Sequence, residues 1–355
     1  MGNNTISDNK LIAGILPRLT SRLPPGWQAV SVKAGRQELG VSSDIDAILK
    51  IRGPGNTTGS VLVEVKARCD PKDVAYLAAM LRPTVGSPIL VMAPFVSPRT
   101  QERLKASGFG YADLTGNIRL SLSRPGLFVE AIGARENPQP ISRDRTSLKG
   151  AKAGRLIRAL CDFRPPLGLR DVAKRAGVDP GYASRIIEVL DREALVVRAR
   201  RGPITSVDWA GLLRRWSQDY SPFQRQRVTW HLAPRGLSSV IDKLKKLSDR
   251  YAVSGSWAAT QFAPVAPPKL LLLYADSPAA IAERLEIKPA DAGANVALVA
   301  PLDPVVYERT SRKKDVTVAA ISQIAADLLT SPGRGPNEAE ALIQWMAEHE
   351  NAWRV

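Results

Sequence analysis

The chain has 355 residues, with 50 lysines and arginines against 34 aspartates and glutamates, a formal net charge of +16. At roughly 100–200 residues per domain this length suggests two or three domains. A composition of 44% apolar and 24% charged residues excludes wholesale disorder. The longest apolar stretches, such as Leu270 to Ala275, fall far short of the roughly 20 residues a membrane span needs.

In chain order, the N-terminus MGNNTISDNK has no basic segment followed by an apolar run, which predicts no secretory leader. Leu11 to Leu23 has apolar residues at helical spacing and stops before Pro24-Pro25. Ile45–Ile51 and Val61–Val65 read as strands about the turn-rich Gly53-Pro54-Gly55-Asn56. Val74–Leu81 reads as a helix, Ile89–Val96 as a buried strand, and Ser97-Pro98 as the cap of a helix running to about Ser107. Ile118–Leu122 and Leu127–Ile132 follow as strands. This alternation predicts an α/β domain with a mixed sheet over 1–132. Residues 133–154 are polar and basic, with Pro138, Pro140 and Arg143-Asp144-Arg145, and read as a linker. Residues 155–216 read as mostly helical, within a domain expected over 155–220. A further α/β region, 221–355, has strands near Thr229–Leu232, Leu270–Tyr274 and Val296–Val299, then helices over Ala319–Leu329 and Asn337–His349.

Within the first domain, Ser42-Ser43-Asp44-Ile45-Asp46 precedes Val61-Leu62-Val63-Glu64-Val65-Lys66. On a strand Glu64 and Lys66 project from one face, and Asp46 or Asp44 approaches from the neighbouring strand. Two carboxylates suit a hard cation such as Mg²⁺, and a lysine beside them offsets phosphate charge or orients water. On these residues the segment resembles the PD-(D/E)xK restriction-endonuclease-like fold. The resemblance implies a catalytic set of Asp46 (or Asp44), Glu64 and Lys66, with Asp46 and Glu64 as metal ligands where the site is active. The stretch Gly108–Asn117 resembles one found in such domains fused to helix-turn-helix modules, although a tight turn into the last strands also explains its Gly and Asn residues.

The middle segment carries a sharper pattern. Leu169, Val172, Ala173 and Ala176 share one helical face, Gly177 stops that helix, and Asp179-Pro180 opens the next. In the second helix Ala183, Ile186, Ile187 and Leu190 face inward, leaving Gly181, Tyr182, Ser184 and Arg185 outward near its N-terminal end. Asp191 to Val207 then reads as a two-stranded wing with Arg198, Arg200 and Arg201 gathered at its turn. The whole resembles a winged helix-turn-helix domain. The resemblance implies that Tyr182, Ser184 and Arg185 read a DNA major groove, that Arg198, Arg200 and Arg201 reach backbone phosphates or a narrow minor groove, and that Arg170 is a further DNA contact.

Tyr251–Thr260, followed by Leu270–Asp276, resembles the opening of a nucleotidyltransferase-type fold with its Gly255-Ser256 turn. Leu270–Tyr274 carries no carboxylate and Asp276 stands alone, so a two-metal transferase lacks its acids. With Asp291–Asn295, Pro301–Arg309 and Ser322–Leu329, the combined chain resembles AbiEi-family antitoxin-like regulators of type IV toxin–antitoxin systems. That resemblance implies operator binding, negative autoregulation and a toxin protein as a partner. The shorter antitoxins lack the N-terminal domain.

Charge supports a polyanionic partner. Residues 1–150 carry 20 basic and 12 acidic side chains, residues 151–232 carry 16 and 8, and residues 233–355 carry 14 of each. All the positive excess therefore lies in the first two-thirds and is densest in the middle, an asymmetry that solubility alone does not require. Arg312-Lys313-Lys314 is a short basic cluster in the neutral part. Two cysteines, Cys69 and Cys161, and two histidines, His231 and His349, are too few for a zinc site and suit a reducing cytoplasm.

The leading expectation is a sequence-specific double-stranded DNA-binding regulator, cytoplasmic and nucleoid-associated, without a cofactor and able to form a homodimer on a palindromic site. The alternative is a Mg²⁺-dependent DNA endonuclease targeted by the same winged helix. A third reading is an antitoxin acting chiefly through contact with its toxin.

Overall fold

The computed structural model describes residues 7–32, 45–81, 88–139, 147–199, 202–225 and 227–355. It is a mixed α/β protein in two compact units, the first running to residue 139 and the second from residue 147, with Arg192–Ala194 counted in the first.

The first unit contains α1 (Asp8–Thr20), β1 (Gln28–Val32), β2 (Ala47–Arg52), β3 (Thr58–Val65), α2 (Asp73–Met80), β4 (Ile89–Ala93), α3 (Pro98–Ala106), β5 (Gly110–Asp113), β6 (Ile118–Leu122) and β7 (Leu127–Ala131). The seven strands form one sheet in sequence order. β1, β2 and β3 are antiparallel, β3, β4 and β5 parallel, and β5, β6 and β7 antiparallel again. Alternation along the strands divides the side chains into two cores. Ala47, Leu49, Val61, Val63 and Val65 pack with Leu11, Ile15 and Leu19 of α1, whereas Ile48, Leu62, Ile89 and Val91 pack with Val74, Leu77 and Leu104 of α2 and α3. Parallel strands need a crossover connection, and the α2 and α3 segments provide them. Ser97 caps α3 as expected, its hydroxyl accepting the Thr100 N–H at 3.2 Å.

β1 and β5 were not expected as strands. β1 lies at the sheet edge, and its Val30 is exposed. β5 is four residues long, begins at Gly110, and ends in the turn Leu114–Asn117. Asp113, fully buried, organises that turn. Its carboxylate accepts hydrogen bonds from Val96 N, Thr115 N, Thr115 Oγ1, Asn117 N and Asn117 Nδ2, at 2.7–3.1 Å. Asn117 in turn accepts the Gly133 N–H at 2.8 Å and donates to the Ala134 carbonyl at 3.0 Å. The start of the expected linker is therefore tied into the first unit.

The second unit opens with α4 (Ala151–Asp162), α5 (Leu169–Arg175), α6 (Pro180–Arg192), β8 (Val196–Arg198), β9 (Ile204–Val207), α7 (Trp209–Ser217) and α8 (Pro222–Arg225). Residues 151–154, expected in the linker, form the first turn of α4. There follow β10 (Arg227–Leu232), α9 (Gly236–Leu244), β11 (Tyr251–Ser254), α10 (Gly255–Ala259), β12 (Leu271–Ala275), α11 (Pro278–Leu285), β13 (Lys288–Pro289), β14 (Val296–Ala300), β15 (Ser311–Lys313), β16 (Val316–Val318), α12 (Ile321–Leu329), α13 (Gly335–Glu348) and α14 (Glu350–Trp353). Its seven-stranded mixed sheet has the order β13-β10-β14-β12-β11-β16-β15. One continuous core runs from Leu148 and Leu156 through Ile187 and Leu213 to Leu273, Ala325 and Met346. The helical segment and the C-terminal sheet, expected as separate domains meeting at 220–221, share that core.

The described residues contain no helix long and apolar enough to cross a membrane.

Candidate nucleic-acid interface

The α5–α6 pair is built from local rules. α5 ends at Arg175 with Ala176 as its C-cap; Gly177 takes a left-handed φ of 56°, and the Val178 N–H reaches back to the Ala173 carbonyl at 3.0 Å, closing the helix end. Asp179 then caps α6, its Oδ1 accepting Gly181 N at 2.9 Å and Tyr182 N at 3.1 Å, with Pro180 in the first turn. Ala183, Ile186, Ile187, Val189 and Leu190 are buried against Val172, Ala173 and the rest of the core.

That packing leaves the N-terminal end of α6 outward. Pro180, Gly181 and Arg185 are exposed, and Tyr182 and Ser184 are half-buried. Burial raises the Tyr182 phenol above its usual range, against the opposing charge of Arg185. Among the described residues no carboxylate forms an ion pair with Arg185, and Arg170 is exposed on α5. Lys174 and Arg175, which the sequence reading did not single out, are also exposed in the last turn of α5, with Arg175 over the Phe163 ring at 4.1 Å. Their signal was their position, since basic side chains at a helix C-terminus complement its dipole.

β8 and β9 form an antiparallel hairpin pairing Val196 with Val207 and Val197 with Ser206, with an irregularity at Val197/Arg198. Leu167 exchanges both backbone hydrogen bonds with Ile204, at 2.9 and 3.0 Å, and so fastens the hairpin to the segment entering α5. Arg198 is half-buried on β8, and Arg200 and Arg201 lie outside the described residues. Asp208 ends the hairpin and caps α7 by accepting the Gly211 N–H at 2.9 Å.

In the first unit, Ala47 faces Val63, so Asp46 lies one step on, beside Glu64, with Asp46 N donating to Val63 O at 3.1 Å. Asp46 Oδ2 accepts the Val65 N–H at 2.7 Å. Glu64 is 7% exposed, and Lys66 Nζ lies 2.6 Å from its Oε1. Burial works against the Lys66 charge, but Glu64 and then Asp46 outweigh it and hold the ammonium above its ordinary range. The three expected residues thus converge; Asp44 lies outside the described residues. Nearby Cys69 is buried, and its thiol is pushed up to about 12 by burial and by Asp73 and Asp70, which makes it a poor nucleophile. Two carboxylates a strand apart are a hard-oxygen pair of the kind Mg²⁺ accepts. A cation here must compete with Lys66 for Glu64. Among the described residues no group of three or more His, Cys, Asp or Glu side chains is placed to hold a metal.

In the second unit, Gly255 has a left-handed φ of 67°, and a Cβ there would meet Leu272 Cβ at 3.1 Å. The adjacent cavity, about 310 Å³, includes Ser256, Lys269 and Arg334 in its wall. Ser256 Oγ and Arg334 Nε are already bound to the buried Glu338 at 2.5 and 2.6 Å. A backbone turn therefore accounts for the Gly-Ser pair.

Comparison with models of known protein families, with curated proteins and with solved structures finds no match to this chain.

Proposed function

We propose that this protein is a sequence-specific double-stranded DNA-binding transcriptional regulator, with α5–α6 as its helix-turn-helix and β8–β9 as its wing. The observation that carries the reading is the outward N-terminal end of α6, bearing Arg185 with no carboxylate among the described residues paired to it, in a segment that holds twice as many basic as acidic residues. The N-terminal end of a recognition helix is the end that enters a major groove, and guanidinium groups pair bidentately with guanine. Tyr182 and Ser184 flank Arg185 at the bases; Arg170, Lys174 and the wing arginines hold phosphates. Repression with autoregulation, as in AbiEi-like antitoxins, is the biological form proposed, with a toxin protein as a further partner and the cytoplasmic nucleoid as the setting. The helix–three strands–helix–strand order of the first unit supports a restriction-endonuclease-like fold. The β11–α10–β12 unit supports a degenerate nucleotidyltransferase-like one.

Affinity tests the reading directly. The logarithm of the binding constant for a duplex should fall linearly with the logarithm of salt concentration, by about 0.9 per phosphate neutralised. Binding that ignores salt would contradict it.

The convergence of Asp46, Glu64 and Lys66 favours a second reading, a Mg²⁺-dependent endonuclease directed by the same helix. Plasmid cleavage that requires Mg²⁺ and disappears in Glu64→Ala and Lys66→Ala would establish it; intact plasmid across Mg²⁺ and Mn²⁺ would remove it. The ion pair that engages Glu64 favours the binding role for this unit.

A further inference from the structure

A buried hydrogen-bonded cluster in the second unit has no part in contacting DNA. Asp327, on α12, is fully buried, and four side chains converge on its carboxylate. Tyr220 Oη at 2.7 Å, Tyr274 Oη at 2.9 Å and Gln323 Nε2 at 2.9 Å donate to Oδ1, and Ser254 Oγ at 2.5 Å donates to Oδ2. These donors come from four places: the segment after α7, β12, α12 itself and the end of β11. Holding one carboxylate in common, they join the C-terminal sheet to the helical half of the unit.

The titratable groups facing Asp327 are the two phenols, both raised well above their usual range by burial and then by the Asp327 charge. On the α4 side, Arg158 reaches the cluster through Gln323 Oε1 at 3.0 Å and pairs with Asp162, which also accepts from Ser322. Arg214 and Arg215 of α7 pair with Glu340 and Asp219, and Glu338 of α13 is turned to Ser256 and Arg334. No lysine, arginine or histidine among the described residues contacts the Asp327 carboxylate. Burial accordingly pushes Asp327 up to about 6 despite its four donors.

The cluster leads back to the wing by a short route. Strand β9 passes through Asp208 into α7, and Trp216 in the last turn of α7 stacks on Tyr220, ring centroids 4.3 Å apart. We propose that Asp327 is a proton-operated joint: ionised, it holds Tyr220, and with it α7 and the β8–β9 hairpin, in the arrangement that fits a duplex. A proton taken from water onto Oδ2 is donated to Ser254 Oγ, whose own hydrogen turns away. Oδ1 then becomes a neutral carbonyl oxygen that holds Tyr220 more weakly, and DNA affinity falls. The joint regulates the DNA site and so rests on the DNA-binding reading above.

The test uses the full chain and a fluorescein-labelled duplex obtained by selection from random DNA, titrated from about pH 5 to about pH 8. Wild type should bind at least about fivefold more weakly at the acid end, and Asp327→Asn should show no such change. Without DNA, the Trp216 emission (the difference between wild type and Trp216→Phe) should titrate in wild type and stay flat in Asp327→Asn. Ser254→Ala, which keeps the carboxylate but removes a donor to its ionised form, should move that midpoint to higher pH. An Asp327→Asn protein that keeps the wild-type pH profile in either readout, or a wild-type Trp216 emission that does not titrate, overturns the joint. A protein that binds no duplex at any pH contradicts the DNA-binding reading instead, and the Trp216 titration still decides the joint.

Discussion

Arg185 carries the DNA reading at the scale of a single side chain, and its replacement separates base recognition from phosphate attraction. Arg185→Ala should cost roughly 1–3 kcal/mol against the preferred duplex and much less against random duplex, measured by competition at one salt concentration. Equal losses on both would make Arg185 a phosphate contact. Asp113 has a different kind of importance. Five donors depend on its buried carboxylate, so Asp113→Ala should destabilise the first unit by roughly 3 kcal/mol or more. Amide exchange in β4, β5 and β6 would report that loss, leaving the second unit protected. Asp327 makes a prediction about stability that does not depend on DNA. Its folded pKa lies above the unfolded one, so the folded chain binds this proton more tightly. The stability it contributes is complete below the ordinary carboxylate range and is lost as pH rises to about 6. Asp327→Asn should remove that slope from a denaturation series over the same range.

The elements differ in how plainly the sequence announced them. α5 and α6 were legible because each end is marked by chemistry that acts locally: Gly177 at the stop, Asp179 and Pro180 at the start, and apolar residues spaced for one face. The cap has a measurable weight. Asp179→Ala should lower thermal stability of the second unit by about 0.5–2 kcal/mol and weaken duplex binding with it. β2 and β3 were legible as apolar runs separated by the turn-rich Gly53–Asn56, and with them the approach of Asp46 to Glu64. β1 and β5 were not, since one is a half-exposed edge and the other a four-residue strand, begun by Gly110, whose place is fixed by β4 and β6. The cluster around Asp327 was illegible for a plainer reason. Tyr220 and Asp327 stand 107 positions apart, and only the packing of α12 beneath the sheet brings them together. Leu167 was overlooked likewise, because a single residue that pairs with Ile204 leaves no pattern.

Across the whole molecule, the neutral segment from 233 onward and the basic segment before it belong to one folded body, with a core that runs through both. A change in the sheet therefore has a packed route to the helices that precede it, which an independent domain on a tether would not have. The proposed reading separates attraction from selection: excess positive charge would draw any duplex, whereas the exposed end of α6 would choose among them. Selection of random duplex DNA by the full-length protein at near-physiological salt, followed by sequencing with and without Mg²⁺, measures that choice most directly. The account predicts that wild type enriches a defined sequence, that Arg185→Ala loses preference at specific positions within it, and that the recovered DNA is uncut. A wild-type pool that remains as random as the input would contradict it.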